Sequence, residues 1–306
     1  MSALRRLGSA ARSLLVAVLC WHAVAGHASD VPYVPTPMNV VDAMLAMGGV
    51  GPDDFLVDLG SGDGRIAIRA ATRFGTRGMG VDLDDNLVRM ARADAGKQGV
   101  QDKVTFEARD LFDTDISRAT VVTAYLLNSV NLRLRPRLFE QLRPGTRIVT
   151  HDFDFGNWQP DQKVTIDVPD KAYGPPRSDI MLWVVPADCA GTWQWSPPGA
   201  ADDARYEARL EQKFQLLEGT VIARGQRVRL GEARVRGNTV SFTLTSAAGG
   251  QRYSGQISGD SIAGQVVLRS GEPPVPWQAV RIKTGKMDIS AGATLPVVAG
   301  SLIKEQ

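Results

Sequence analysis

The chain has 306 residues, of which 43% are hydrophobic and 22% charged, a composition that is ordinary for a soluble globular protein larger than one average domain. Its 35 basic and 33 acidic residues leave a formal net charge of +2. The overall charge therefore indicates neither a nucleic acid nor an anionic membrane as a partner.

Residues 1–28 have the pattern of a secretory signal peptide. Arginines at positions 5, 6 and 12 precede an apolar run over residues 14–24, and small residues then offer a cleavage site after Ala28, with Ala25 as the alternative. An uncleaved membrane anchor is less favoured, because the run is shorter than the ~20 residues of a spanning helix. We predict an exported protein, periplasmic or extracellular, with no stable membrane insertion after cleavage.

Cleavage would leave one cysteine, Cys189, and one histidine, His151. An intramolecular disulfide would then be impossible, and so would a zinc site of histidine and cysteine, which needs three or four such ligands. Carboxylate-bound magnesium or calcium stays open, although no EF-hand spacing is visible. We predict no metal site.

From Pro37 to about Pro186, short apolar runs alternate with amphipathic ones, which is typical of βα units in a parallel sheet. The predicted strands cover 55–59, 78–83, 104–107, 121–127 and 147–150; the predicted helices cover 65–74, 86–97 and 134–142; a closing antiparallel pair covers 163–168 and 180–185. We predict an α/β, Rossmann-like domain over residues 31–188.

After Cys189 the hydrophobic pattern changes to period two, interrupted by glycine turns, most clearly over residues 239–244. We predict a small antiparallel all-β domain, a sandwich or a barrel, over residues 189–285. The tryptophans of this region are expected to be packing residues. Residues 286–306 show little pattern, and we expect a mobile tail.

A glycine-rich turn follows the first predicted strand, in the run Asp58-Leu59-Gly60-Ser61-Gly62-Asp63-Gly64. Its three glycines allow a tight turn and a close approach of the backbone to a ligand, and the next helix contributes its positive N-terminal dipole. Nicotinamide enzymes need glycine or alanine where this chain has Arg65. Asp58 would repel a pyrophosphate but suits the ammonium and sulfonium groups of S-adenosylmethionine (SAM).

Two further acidic residues, Asp82 and Asp110, end the second and third predicted strands. A carboxylate at Asp82 can accept hydrogen bonds from both ribose hydroxyls, and one at Asp110 can accept from the adenine amino group. Taken singly, each could equally be a helix cap. Together with Asp58, they place three carboxylates at successive strand ends, and we predict that the cofactor is SAM.

This motif resembles the first motif of the seven-strand SAM-dependent methyltransferases. A narrower resemblance rests on the arm Tyr33-Val34-Pro35-Thr36-Pro37, a following helix, and the run from Leu56 to Ile66. These segments look like the protein-lysine methyltransferases of the ATP synthase c-subunit and the adenine nucleotide carrier, over roughly residues 31–161. The resemblance implies that Tyr33 and Thr36 lie over SAM and that the acceptor is a lysine.

The residues after the fourth strand, Tyr125 to Ser129, lack the Asn-Pro-Pro-aromatic motif of methyltransferases that modify base amino groups. The chain also has no long basic run, so we predict that it does not act on nucleic acid. The signal peptide and the all-β domain are foreign to the mitochondrial members of the family. The acceptor, a protein or a small molecule, therefore stays open.

Tyr125, Asn128 and His151 are the candidate catalytic residues. His151 follows the fifth strand, where open α/β sheets place their ligands. It could act as a general base, but the favoured interpretation is a polar residue satisfied at a strand end. Trp158 and Trp183 could line an acceptor pocket, although such aromatics more often belong to the core.

The sequence thus predicts a SAM-dependent methyltransferase, with a protein lysine as the expected acceptor. Two alternatives remain, a small-molecule methyltransferase and a catalytically silent SAM-binding protein whose β-domain recognises a partner. The silent alternative is disfavoured because no residue of the SAM motif is broken.

Overall fold

The computed structural model describes residues 33–199, 204–223, 225–246 and 249–290. The predicted signal peptide, and residues 291–306 of the predicted tail, lie outside these ranges. Among the described residues, none of the helices has the length and apolar character needed to cross a membrane.

Within the described residues, seven strands and four α-helices form the first part of the fold. The strands are β1 (Phe55–Leu59), β2 (Arg77–Asp82), β3 (Val104–Ala108), β4 (Val121–Ala124), β5 (Arg147–His151), β6 (Gln162–Asp167) and β7 (Arg177–Val184). The helices are α1 (Met38–Met47), α2 (Arg65–Phe74), α3 (Asp85–Lys97) and α4 (Asn128–Gln141). The strand order is β3-β2-β1-β4-β5-β7-β6. The first five strands are parallel, and β7 runs antiparallel to both β5 and β6.

The strand order places a crevice at the carboxyl ends of β1 and β4. The chain winds outward from β1 through β2 to β3 and then returns to pair β4 with the other side of β1. Loops on the two sides of this reversal diverge, and open α/β sheets bind their ligands there. Strands β1 and β4 are almost entirely buried, as expected for central strands covered on both faces.

The predicted α/β fold is confirmed, although the bounds of two elements differ from the prediction. Helix α4 begins at Asn128 rather than at residue 134, and β4 ends at Ala124 rather than at residue 127. The apolar Leu126 and Leu127 suggested a longer strand. Leu126 is instead a buried loop residue beneath Gly60, while the polar first turns of α4 concealed the start of the helix.

Eight antiparallel strands form a closed barrel, which confirms the predicted all-β region and decides between its two forms. They are β8 (Gly191–Trp195), β9 (Tyr206–Lys213), β10 (Leu216–Ala223), β11 (Gln226–Arg236), β12 (Thr239–Ser246), β13 (Gly249–Ser258), β14 (Ser261–Val267) and β15 (Val275–Thr284). The barrel closes where β15 pairs with β8.

Aromatic side chains fill the barrel interior. The rings of Phe242 and Tyr253 stack with centroids 4.8 Å apart, and Trp277 meets Tyr253 edge-on at 5.0 Å. Trp193 and Trp195 are also buried. Such pairs stabilise a core beyond the area that they bury, and the tryptophans of this region therefore lie where packing residues belong.

The barrel packs against the first part of the fold within one compact unit. The amide of Ala187 donates to the carbonyl of Gly237 at 2.8 Å, and Phe214 of the β9–β10 turn joins the core beneath β4 and β5. Residues 287–290, the start of the predicted mobile tail, are hydrogen-bonded to this junction: Asp288 exchanges backbone hydrogen bonds with Gln212 and Phe214.

Gly64 and Gly99 form a matched pair for testing how tightly α2 packs. Both have positive φ, +77° and +68°, but a Cβ on Gly64 would lie 2.6 Å from Phe106 and 2.8 Å from Ala91, whereas one on Gly99 would meet nothing within 4 Å. We expect Gly99→Ala to lower the free energy of unfolding by about 1 kcal/mol and Gly64→Ala by about 3–5 kcal/mol. Urea denaturation measures both, and equal losses would contradict the packing argument.

Candidate active site

A tightly held loop, residues 60–64, connects β1 to α2 beside the crevice; we call it the glycine loop. Gly60, Gly62 and Gly64 all have positive φ. The amides of Gly60 and Ser61 donate to the carbonyl of Val81, and the amide of Gly62 donates to Oδ2 of Asp82 at 2.8 Å. The loop is therefore fixed to the end of the neighbouring strand β2.

The three glycines of the loop have different neighbours. A Cβ on Gly60 would lie 2.8 Å from Leu126, and one on Gly62 would lie 2.5 Å from the ring of Tyr33. Both of these neighbours flank the crevice. Gly64 faces Phe106 inside the core, so its structural task is the packing of α2 on the sheet, although the motif had suggested a cofactor contact.

Asp58 is the most unusual group of the site. Its carboxyl is 1% exposed; Oδ1 accepts a 2.7 Å hydrogen bond from the hydroxyl of Thr123, while Oδ2 has no protein partner among the described residues. Burial raises the pKa of Asp58 to about 7; the Thr123 hydrogen bond opposes this rise, and the charges of Asp82 and Asp63 add to it.

Ser61 presents a second unpartnered group, since its Oγ is buried without a hydrogen bond within the described part of the chain. Leaving a buried polar atom unpaired costs about 1–3 kcal/mol. A free carboxylate oxygen and a free hydroxyl beside the loop therefore fit a ligand that brings an ammonium group. The amino-acid end of SAM has this chemistry.

Asp82 and Asp110 have the positions predicted for the nucleoside, and both also support the backbone. Asp82 accepts from the amides of Gly62 and Asp84. Oδ1 of Asp110 accepts from the amide of Phe112 at 2.8 Å and caps a short 3₁₀ turn. Each carboxylate offers about four acceptor sites, so capping leaves room for ribose and adenine donors.

The N-terminal arm, residues 33–37, lies against the glycine loop. Thr36 is buried, and its carbonyl accepts a 2.9 Å hydrogen bond from Nη1 of Arg65. Nε of Arg65 also donates to the Asp63 carboxylate. Tyr33 lies beside this pair, and burial followed by the Asp63 charge raises its pKa to about 12.

Arg65 connects the arm to the glycine loop, a role that was not predicted from the sequence. In the sequence, Arg65 was a departure from the dinucleotide pattern and part of the run that carries the family resemblance. Its guanidinium fastens the arm to the loop. The sequence position of Arg65 could have indicated this role. An arginine directly after the last glycine of the loop can reach a preceding carbonyl, and its planar guanidinium can donate to several acceptors at once.

The carboxyl ends of β4 and β5 bring Tyr125 and His151 together. Their rings stack with centroids 3.8 Å apart, and Phe153 lies 5.9 Å from Tyr125 on a nearly parallel plane. Thr36 approaches His151 as well, with Oγ1 3.4 Å from Nδ1. The arm, the glycine loop and the aromatic group of Tyr125, His151 and Phe153 therefore border the same crevice.

His151 is fully buried, and both of its ring nitrogens have neighbours. Nε2 lies 2.8 Å from the hydroxyl of Ser178 and 3.3 Å from the carboxylate of Asp152. Burial lowers the pKa of His151 to about 4; Asp152 partly offsets this shift, and Lys171 adds to it. The imidazole is neutral near pH 7, and its low proton affinity makes it a poor base.

The other candidate residues, Asn128, Trp158 and Trp183, do not join the group formed by Tyr125 and His151. Asn128 is exposed at the start of α4 and donates to Oδ1 of Asp154 at 2.7 Å. Trp158 and Trp183 are fully buried core residues, linked by a 2.8 Å hydrogen bond from the Trp183 indole to the Trp158 carbonyl. The idea that they line an acceptor pocket is therefore wrong. Within the described ranges, no three histidine, cysteine or acidic side chains cluster as a metal site would require.

Comparisons with known proteins give relatives for the first part of the fold. The model of the ANTKMT methyltransferase domain matches residues 58–162. A protein-lysine N-methyltransferase of Saccharolobus islandicus (strain REY15A) is 44% identical over 138 residues, which are 45% of this chain and 86% of that protein. The adenine nucleotide translocase lysine N-methyltransferase of Mus musculus is 36% identical over 132 residues, which are 43% of this chain and 57% of the mouse protein.

A solved structure, described as an RNA methyltransferase from Salinibacter ruber with S-adenosyl-L-homocysteine, is 48% identical and covers 56% of this chain and 98% of its own, with a TM-score of 0.46. The mouse protein is matched over little more than half of its length.

The strand order, the glycine loop after β1 and the unpartnered carboxylate beside it define a seven-strand, Rossmann-like SAM-dependent methyltransferase. The chain belongs to the methyltransferase family of the Saccharolobus islandicus relative, and the ANTKMT methyltransferase domain model matches residues 58–162 of this chain. The predicted class, family and cofactor are thereby confirmed, and the protein is an enzyme that uses SAM.

Asp58→Asn should stabilise the ligand-free protein at about pH 8. Burial raises the pKa of Asp58 from 3.8 to about 7, so the folded protein holds the proton of the Asp58 carboxyl group more tightly than the unfolded chain does. The free energy of unfolding therefore falls as pH rises between these values. The Asn variant does not ionise and avoids that loss, but its buried amide lacks one partner. We therefore expect its free energy of unfolding in urea to be about 1–3 kcal/mol higher than that of the unaltered protein at about pH 8.

SAM affinity is the second readout of the same variant. The SAM ammonium favours ionised Asp58, so the affinity of the unaltered protein should fall by up to about tenfold per unit as pH drops below about 7. Asp58→Asn should bind weakly and without this slope in calorimetry. Asp53→Asn changes an exposed carboxylate before β1 and serves as the control. A variant that is no more stable, yet binds SAM normally, would refute this account of Asp58.

Proposed function

We propose that this enzyme methylates the side-chain amine of a lysine in a protein. The observation that carries the proposal is the similarity to the protein-lysine N-methyltransferase of Saccharolobus islandicus, which is 44% identical over 138 residues, 86% of that relative. The translocase methyltransferase of the mouse, also named for a lysine acceptor, supports the same class of substrate. The barrel lies outside the matched family domain, so we propose the lysine class of acceptor and not the acceptor protein of a relative.

The site has the groups that such a reaction needs. When bound, SAM supplies an electrophilic methyl on a positively charged sulfur. The residues of the chain hold its amino-acid end at Asp58 and close the crevice with the Tyr33 arm. The ring of Tyr125, stacked on His151, offers a flat apolar wall for the aliphatic stem of a lysine. Alignment and exclusion of water are the main requirements of methyl transfer.

The lysine must arrive without its proton, because a free lysine has a pKa of about 10.4. Desolvation in the crevice and the adjacent sulfonium charge both lower that pKa, so the proton can leave to water before transfer. Neutral His151 has neighbours at both nitrogens. Its proposed task is to hold Tyr125 and Thr36 in place, without accepting the proton itself.

The His151→Asn variant separates these two tasks. If His151 only positions its neighbours, transfer at saturating SAM should fall by about tenfold or less and keep the rise with pH of the unaltered enzyme. Initial rates between about pH 6 and pH 9 measure this profile. A loss of about a hundredfold together with a flat profile would identify His151 as the general base instead.

The acceptor class is tested with SAM carrying a labelled methyl group. The full chain is incubated in parallel with exported proteins, RNA and a small-molecule extract, and labelled protein is hydrolysed to amino acids. We expect label in methylated lysine. Gly62→Val, in which a branched side chain at positive φ collides with Tyr33, is the control that cannot bind SAM. Label confined to RNA or to small molecules would reject the lysine acceptor.

We further propose that the enzyme acts outside the cytoplasm, in the periplasm or the extracellular space. The support is the signal-peptide pattern of residues 1–28. N-terminal sequencing of the protein from a secreting host should give Ser29 as the first residue. A retained N-terminus in the cytoplasmic fraction would reject export.

A further inference from the structure

One face of helix α4 is polar, and two of the three residues that define it are buried. Asn128, Asn131 and Arg135 follow one another at spacings of three and four residues, so they share a face of the helix. Asn131 is fully buried and Arg135 is 3% exposed. Burial lowers the pKa of Arg135, and no carboxylate is hydrogen-bonded to it within the described residues. Apolar residues would be less costly at such positions, so this polar face serves a specific contact.

That contact is with residues 153–159, which we call the β5–β6 loop. Nδ2 of Asn131 donates to the carbonyls of Phe153 and Asp154, each at 3.2 Å. Nη1 of Arg135 donates to the carbonyl of Phe155 at 2.8 Å and to Oδ1 of Asn157 at 2.6 Å. With the bond from Asn128 to Asp154, helix α4 holds the loop along most of its length.

The barrel holds the same loop from the other side. The ring of Phe214 stacks on Trp158 with centroids 5.8 Å apart and planes 17° apart, and the Arg135 guanidinium lies 5.1 Å from the centroid of Phe214. Nε2 of Gln215 donates to the carbonyl of Gln159 at 2.6 Å.

Two further features mark this contact. Phe214 is itself buried and has a φ of +51°, a strained value for a residue with a side chain. Beyond the last barrel strand, the carbonyl of Ser290 accepts from Nδ2 of Asn157 at 3.0 Å. The barrel therefore reaches the loop through a side chain held in an unfavourable backbone conformation and through the segment that follows β15.

The loop leads directly to the methyl-transfer crevice. Its first residue, Phe153, lies against Tyr125, which is stacked on His151. We infer that the barrel positions the acceptor side of the site through the β5–β6 loop, with Phe214 and Arg135 as positioning residues. The acceptor side is the part of the crevice at Tyr125, where the stem of the proposed lysine would lie, so this inference rests on the proposed function. The cofactor side is independent of it, because the glycine loop is held by Val81, Asp82 and the arm.

The test uses the full chain with two replacements of Phe214 and a control. Phe214→Ala removes the ring that covers Trp158, and Phe214→Leu keeps most of its volume. Phe242→Ala removes an equally buried ring inside the barrel, away from the loop. Asn157→Ala breaks the hydrogen bonds to Arg135 and Ser290 without opening a core cavity, and it decides the question if Phe214→Ala does not fold.

Hydrogen exchange of the loop amides and SAM affinity are read first. We expect Phe214→Ala and Asn157→Ala to speed exchange over residues 153–159 by about tenfold or more, with SAM affinity within about twofold. Phe214→Leu should restore most of the protection, and Phe242→Ala should leave the loop unchanged. Unchanged loop exchange in both Phe214→Ala and Asn157→Ala would overturn the inference.

Transfer of labelled methyl groups is read second. In the variants with a loosened loop, kcat/KM for the acceptor should fall about tenfold or more while KM for SAM is kept. Full transfer with a loosened loop would overturn the positioning role. If the unaltered chain transfers no label to lysine, the proposed acceptor fails, whereas the exchange data still decide whether the barrel holds the loop.

Discussion

At the carboxyl end of β1, the Asp58 carboxylate is buried at the point where the strand order reverses. One of its oxygens is bonded to Thr123, and the other has no hydrogen-bond partner in the part of the chain that the structure describes. The cofactor side of the site is arranged around this group. Strand β4 must lie beside β1 to supply Thr123. The chain must turn at positive φ directly above the carboxylate, and strand β2 must carry Gly80, because a Cβ there would lie 2.6 Å from Ser61. The sheet thus keeps a costly group ready for a cationic ligand.

The two sides of the crevice are stabilised in different ways. On the cofactor side, the glycine loop is held by neighbours from the adjoining strand β2 and by the arm that Arg65 fastens. On the acceptor side, the β5–β6 loop depends on α4 and on barrel residues more than fifty positions further along the chain. The family domain matched over residues 58–162 includes the loop but none of the barrel. In this chain, a loop of the family domain is therefore stabilised by a barrel that lies outside that domain.

How far the sequence could predict this structure varies by element. Strands β1 to β3 and helices α2 and α3 were located within one or two residues, because their hydrophobic periods end at glycine or aspartate. The predicted start of helix α4 lies six residues after the observed one, at Asn128. The cause is that Asn128 and Asn131, which bind the β5–β6 loop, interrupt the apolar period of the helix. The aspartates of the cofactor site follow from their strand ends, but the burial of His151 and the free oxygen of Asp58 depend on distant packing that no local pattern contains. Closure of the barrel likewise depends on the pairing of its first and last strands.

That closure also sets the order in which the molecule can be completed. Strand β8 leaves the sheet domain at Gly191 and finds its second neighbour only in β15, about ninety residues later. Contacts so distant in sequence form slowly, because the intervening chain must first be ordered. The cofactor crevice is built from strands that precede residue 152 and can form early. Residues 287–290, which reach the β5–β6 loop, are synthesised only after all eight strands of the barrel. A newly made molecule would therefore acquire its hold on SAM before it acquires a rigid acceptor side, and the ability to bind the cofactor would come before the ability to use it.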